Sequence, residues 1–161
     1  MFARVRLAPL AQHTLAPMQA LTVKPFQSGF IGGQPGTLMA APEAGFDPHV
    51  ILDAEDRVVG LFRVQTSFHL GHTFARSDTP GLATFVIDAG QQGKGLGTEA
   101  CQQMPAYLRN AVPRARGAYA LVHKRNTGAL KAMLRGGWTD TGTQHSRAAS
   151  GPQAVLWLPL R

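Results

Sequence analysis

The residues whose types and spacing could do chemistry lie between Phe85 and Glu99, FVIDAGQQGKGLGTE, where an apolar β-branched run passes through a glycine-rich turn into a stretch of helical spacing. Such a turn binds phosphate. Amides at a helix start have no partner within the helix and carry the positive end of its dipole, and glycine lets an anion approach the backbone. Gln92, Gly93, Lys94, Gly95, Leu96, Gly97 and Thr98 therefore form a candidate anion site, to which Lys94 adds a charge. A Walker loop would end in Gly-Lys-Ser or Gly-Lys-Thr, whereas Lys94 is followed by Gly95. A dinucleotide loop needs G-x-G-x-x-G and an acid about 20 residues later. Here the glycines are Gly93, Gly95 and Gly97, with no acid between Glu99 and Asp140. On these residues alone, a glycine turn without a ligand remains the alternative.

Other reactive side chains are scattered. Asp88 and His123 end two expected strands, and a histidine can accept or relay a proton near neutrality, although both also fit as polar strand ends. Tyr107 falls on the core face of a helix and Tyr119 at the start of a strand. Cys101 has no histidine pattern near it and reads as a small core side chain. His69 and His72 have H-x-x-H spacing but no convincing third ligand, so they read as loop histidines and no metal is expected. Arg109, Arg114, Arg116, Lys124 and Arg125 could form a basic rim, with solvated surface charge as the alternative.

These residues must be positioned by a folded chain. At 161 residues, 44% hydrophobic and 16% charged, the sequence can bury a core and predicts one domain over residues 1–161. The lone cysteine allows neither an internal disulfide nor a cysteine-built zinc site, and points to the cytoplasm. Pro9, Gln12, His13 and Pro17 interrupt the N-terminal segment before a signal-type apolar run develops, and no run approaches the roughly 20 residues of a membrane span. Residues 1–90 carry six basic and seven acidic side chains; residues 91–161 carry ten basic and two acidic ones. The second half would attract a polyanion, either nucleic acid or a phosphorylated cofactor.

The pattern predicts a strand over Ala3 to Leu10, a helix over Gln12 to Leu21, helical turns over Thr37 to Ala44, and a hairpin of His49 to Leu52 with Val58 to Ser67. A loop from Gly71 to Thr79 precedes a buried strand, Leu82 to Ile87. A long helix then runs from Leu96 to Ala111, with a kink or break at Pro105. A strand over Ala118 to Val122, a short helix capped by Asn126, and strands over Trp138 to Thr143 and Ala154 to Leu160 complete a mixed α/β sheet with helices on both faces.

Gln92, Gly95 and Gly97 match a Q/R-x-x-G-x-G/A loop, and Asn126, Ala129 and Gly137 with Trp138 continue the same order. In these motifs the chain resembles the GCN5-related N-acetyltransferases (GNAT). Val23, Lys24, Pro25, Gln27 and Phe30, followed by FVID, are similar to the spermine and spermidine acetyltransferase branch. The resemblance implies a mostly antiparallel sheet of six or seven strands and acetyl-CoA as cosubstrate. The pyrophosphate would be held by amides from Gln92 to Thr98, and the pantetheine by the backbone of Ile87 in a cleft lined by Asn126, with Leu96 turned into the core.

It further implies direct attack of a small-molecule amine on the thioester. An alkyl amine with a pKa near 10.4 is neutral in roughly one molecule in 2,500 at pH 7, a cost of about 4.6 kcal/mol that a base must offset. The family's usual general acid is a tyrosine at the position of Met133, which cannot donate a proton, so either another group serves, with Asp88 and His123 as the candidates, or solvent protonates the thiolate, or activity is lost. A polyamine would call for an acidic pocket from Glu43, Asp47, Asp53, Glu55, Asp56, Asp78 and Asp88, and the excess positive charge weighs mildly against one. The alternative is a non-catalytic CoA sensor or a basic nucleic-acid module. Sparse aromatic residues in the second half weigh against nucleic acid, no membrane partner is expected, and a homodimer is left open.

Overall fold

A computed structural model describes residues 3–24, 45–147 and 151–161. The expected helical turns at Thr37 to Ala44, and Pro25, Gln27, Phe30 and Glu43, lie outside them. Strands β1 (Val5–Pro9), β2 (Phe46–Asp53) and β3 (Val58–Gln65) form an antiparallel meander. Its second turn is closed by the Asp53 carboxylate, which accepts the N–H groups of Glu55 and Arg57 at 2.9 Å each. β4 (Gly81–Ile87) adds antiparallel to β3, and β5 (Gly117–His123) runs parallel to β4. β7 (Gly151–Pro159) inserts between β5 and the edge strand β6 (Thr139–Arg147), giving the order β1-β2-β3-β4-β5-β7-β6. The sheet thus has the seven-stranded, mostly antiparallel form expected, with its last two strands longer than the apolar pattern marks. β6, TDTGTQHSR, is a polar edge strand that continues past the expected Thr143 to Arg147 without hydrophobic alternation.

Helices cover both faces. α1 (Gln12–Gln19) buries Met18 against Val50, Leu52, Leu61 and Val86. α2 (Phe68–Gly71), a single turn not marked in the sequence, places Phe68 on Tyr119 of the same face. The opposite face carries α3 (Leu96–Ala111) and α4 (Thr127–Arg135) over the main core. α3 runs unbroken through Pro105, so of the expected kink or break the break does not occur. Full burial of Met104 and Leu108 on either side, each worth about 1.5–3 kcal/mol, offsets a proline cost of roughly 3 kcal/mol. α3 and α4 pack closely because Gly136 lacks a side chain: a Cβ there would lie 2.3 Å from Cβ of Cys101.

The feature that creates a site is the parting of β4 and β5. Only Gly81–Tyr119 and Leu82–Ala120 pair before the strands separate. The register of β3 with β4 shifts between Leu61 and Arg63, and Thr84 takes φ +54°, a strained value for a β-branched residue. Arg63 supports this bulge through Nε and Nη2, which donate to Thr84 Oγ1 at 3.2 and 2.9 Å.

Candidate functional site

The turn after β4 is shaped by Gly93 and Gly95, at φ +80° and +79°, and Gly95 caps α3 in the left-handed conformation. The first intrahelical acceptor is the Gly95 carbonyl, taken by Glu99 N–H at 3.1 Å, so the amides before Glu99 have no partner inside the helix. They adjoin a cavity of about 300 Å³ between the end of β4 and helices α3 and α4. Phe85, Ile87 and Ala132 line it beside Gln92, Gly93, Gly95, Leu96, Gly97, Thr98 and Asn126, and its mouth carries Lys131 and Arg135. Among the described residues, no acidic side chain lines it.

Lys94 is turned away from the lining and donates from Nζ to Gln91 Oε1 at 3.0 Å. Gln92 Nε2 donates to the Ile87 carbonyl at 2.9 Å, tying the strand end to the loop. Asn126 caps α4, its Oδ1 accepting from Ala129 N–H. Leu96 is buried, at the junction of core and cavity.

The cavity adjoins a slot through the sheet between the parted strands, lined by Leu82, Thr84, Phe85, Leu121, His123, Asn126 and Met133. Along β5, Ala118, Ala120 and Val122 face the core beneath α3, while Tyr119 and Leu121 belong to the opposite face. By this alternation His123 faces the side of the sheet away from α3 and α4. It is buried, with its Nε2 3.4 Å from Nε2 of Gln153, its register partner on β7. Met133 is fully buried at the tyrosine position. Asp88 is otherwise engaged: Oδ1 accepts from Thr22 N–H at 2.9 Å and Oδ2 from Gly90 N–H at 3.3 Å, capping the 3-10 turn Ala89–Gln91.

The remaining candidates lie elsewhere. Tyr107 OH meets His49 Nδ1 at 2.5 Å beneath α3, and burial raises the phenol to about 12. Burial also lowers the His49 pKa, against a smaller opposing pull from Asp47. Burial pushes the Cys101 thiol up to about 12, which keeps it a thiol at neutral pH. His72 engages the Phe68 carbonyl through Nδ1 and stacks on the Phe68 ring.

The proposed basic rim divides. Arg109 donates to the Leu160 carbonyl at the far end of α3, about 20 Å of helix from the loop, so it cannot join a ligand there. Lys124 and Arg125 follow β5 at the slot end of the sheet. Among the described residues, the cations that reach the cavity are Lys131 and Arg135, on one face of α4 at i, i+4 spacing. That spacing was readable from the sequence once α4 was placed beside the loop. Val23 and Gln91 also line the cavity.

These features, a bulged β4 parting from β5 and a glycine turn feeding α3, define an acyltransferase fold. The sequence profile of the acetyltransferase (GNAT) family matches residues 23–138, and the chain belongs to that family. No curated protein matches it by sequence. Among solved structures it is similar to aminoglycoside acetyltransferase AAC(6')-Ib in complex with ribostamycin and coenzyme A, at 16% identity and TM-score 0.75, covering 97% of this chain and 93% of that one. It is also similar to spermidine N-acetyltransferase from Vibrio cholerae in complex with CoA and spermine, at 13% identity and TM-score 0.71, covering 99% and 97%. A GNAT-family acetyltransferase from Bacillus anthracis gives 14% identity and TM-score 0.73 over 98% and 95%. At these identities the likeness is one of fold.

Proposed function

We propose that the protein transfers the acetyl group of acetyl-CoA to the primary amine of a small molecule, in the cytoplasm. The observation that carries this is a path from the glycine turn and the α3 start, where the amides before Glu99 have no partner inside the helix, through the β4–β5 slot, to a histidine on the opposite face. The acid-free lining, the bare backbone of Gly93 and Gly128 and the cations Lys131 and Arg135 fit a polyphosphate with a narrow arm. Acetyl-CoA supplies the thioester. Amides from Gln92 to Thr98 hold its phosphates, and the ends of β4 and β5, with Ile87 and Asn126, direct its arm into the slot.

His123 accepts a proton from the ammonium as the amine attacks from the face away from α3. The C–N bond forms as the C–S bond breaks, that first proton passes from the imidazole to the departing thiolate, and the second proton lost by the nitrogen as the amide forms leaves to solvent, so that no phenol is needed at Met133. Asp88 serves the loop by capping rather than by proton transfer. Asp53, Glu55 and Asp56 are paired with Arg57 or Arg6, so they offer no open acidic pocket for a polyamine. Family kinship and the coenzyme A carried by the aminoglycoside and spermidine enzymes support the cosubstrate.

Titration calorimetry of the protein with acetyl-CoA tests this reading. Saturable binding at one site is expected, and no heat up to millimolar ligand would refute it. The buried Met133 favours one second reading, a CoA sensor, which predicts the same binding with no turnover on any amine.

A further inference from the structure

We infer that Arg4 and Glu99, neither of which lines the cavity, form a brace that presets the anion-binding loop and are positioning residues for cofactor capture; the inference rests on the acetyl-CoA reading above. Glu99 lies four residues into α3 from its cap, Gly95. Its Oε2 accepts the backbone N–H groups of Arg4 and Val5 at 2.9 and 3.0 Å, and its Oε1 lies 3.5 Å from Arg4 Nε. The same guanidinium reaches on to the loop, where Nη1 donates to the Lys94 carbonyl at 2.8 Å. Nη2 lies against Gly95, 3.2 Å from where a Cβ would stand. One turn further along α3, Gln103 Nε2 donates to the Val5 carbonyl at 2.7 Å. An edge strand is thereby stitched to the helix start.

The consequence follows from peptide geometry. In a trans peptide the C=O and the following N–H point in opposite directions. Holding the Lys94 carbonyl outward on Arg4 therefore turns the Gly95 amide toward the cavity that Gly95 lines. The glycines at positions 93 and 95 that make the loop possible also make it soft, because each has little steric reason to keep its left-handed φ. The brace supplies the missing constraint. It also removes an electrostatic conflict: a carboxylate in the first turn of α3 would repel a pyrophosphate at the same helix end, and Arg4 neutralises it.

The test is amide hydrogen exchange over residues 93–98 in the ligand-free protein, with acetyl-CoA kinetics, for wild type, Arg4→Ala, the double variant Arg4→Ala/Glu99→Gln, and Gln103→Ala. Arg4→Ala is expected to exchange faster across the loop and to raise KM for acetyl-CoA about tenfold with kcat within a factor of two, the size of a lost charge-assisted hydrogen bond. The double variant should recover part of the KM, because the unpaired carboxylate is gone. Gln103→Ala removes the neighbouring stitch without touching the loop, and should leave both readouts at wild-type values. Loop exchange unchanged in Arg4→Ala overturns the brace, as does a fall in kcat with KM unaltered or equal effects in Gln103→Ala. A wild-type protein that binds no acetyl-CoA overturns the cofactor reading instead, while the exchange data still decide the brace.

Discussion

The two sides of the β4–β5 slot are built from different materials. On the α3 side the groups proposed to hold phosphate are backbone amides, set by two left-handed glycines, where Arg4, just before β1, bonds the Lys94 carbonyl and the Glu99 carboxylate. On the opposite side they are side chains, His123 with Gln153 across the strand pair, and the expected phenol is replaced by Met133. Backbone recognition needs only the fold and a few glycines, so it tolerates wide change in the side chains around it. A proton path made of side chains can be rebuilt from a different strand, and the proposed function moves it from α4 to the end of β5.

That contrast can be broken most severely at Gly97. A Cβ there would make ordinary contacts with Ile87 and Ala132, and the rest of a larger side chain must enter the cavity. Gly97→Trp is expected to reduce the calorimetric signal for acetyl-CoA to the dilution baseline while a thermal melt shows a folded protein. On the other side, His123→Ala should lower kcat about 10²- to 10⁴-fold with KM for acetyl-CoA unchanged, and added imidazole should restore part of the rate. If KM rises instead, the two sides are not separable.

Lys131→Gln and Arg135→Gln should each raise KM about two- to fivefold, an effect that shrinks at high salt because both cations are exposed. Tyr107→Phe sharpens the comparison by leaving both sides alone: turnover stays at the wild-type value, while chemical denaturation shows a loss of about 1–3 kcal/mol from the unpaired His49 Nδ1. Because burial lowers the folded-state pKa of His49, its contribution to stability is complete above the unfolded value of 6.5 and is lost as pH falls below it. The melting temperature should therefore drop on acidification through that range, and the drop should diminish in a His49→Phe variant.

The loop, α3, α4 and the strands β4 and β5 that lead into them were legible in the sequence, because glycine spacing, the Asn126 cap and helical periodicity are local. Met133 was located through the family resemblance, four residues beyond Ala129. The single turn α2 carries no periodic signal, and of β6 only Thr139 to Thr143 falls within the expected strand, its polar continuation to Arg147 being unmarked. Asp88 and His123 looked equivalent as strand ends. Only the fold separates them, by bringing Thr22 and Gly90 to one carboxylate and a slot to one imidazole. Arg109 and Arg135 are likewise both basic helix residues in sequence, and the direction in which α3 runs decides which one reaches the cavity. The contact of Arg4 with Lys94 spans 90 residues and could not be read locally.

The central claim, direct transfer from a thioester held on the loop to an amine met by His123, is tested most directly by thiol release with and without amine. The protein is mixed with acetyl-CoA alone and then with a panel of primary amines that includes spermidine, and the protein and small-molecule products are weighed by mass spectrometry. The account predicts no thiol and no acetylated protein until an amine is added, then one thiol released for each N-acetylated amine. Thiol release without amine, an acetyl group on the protein, or binding with no turnover on any amine would contradict it.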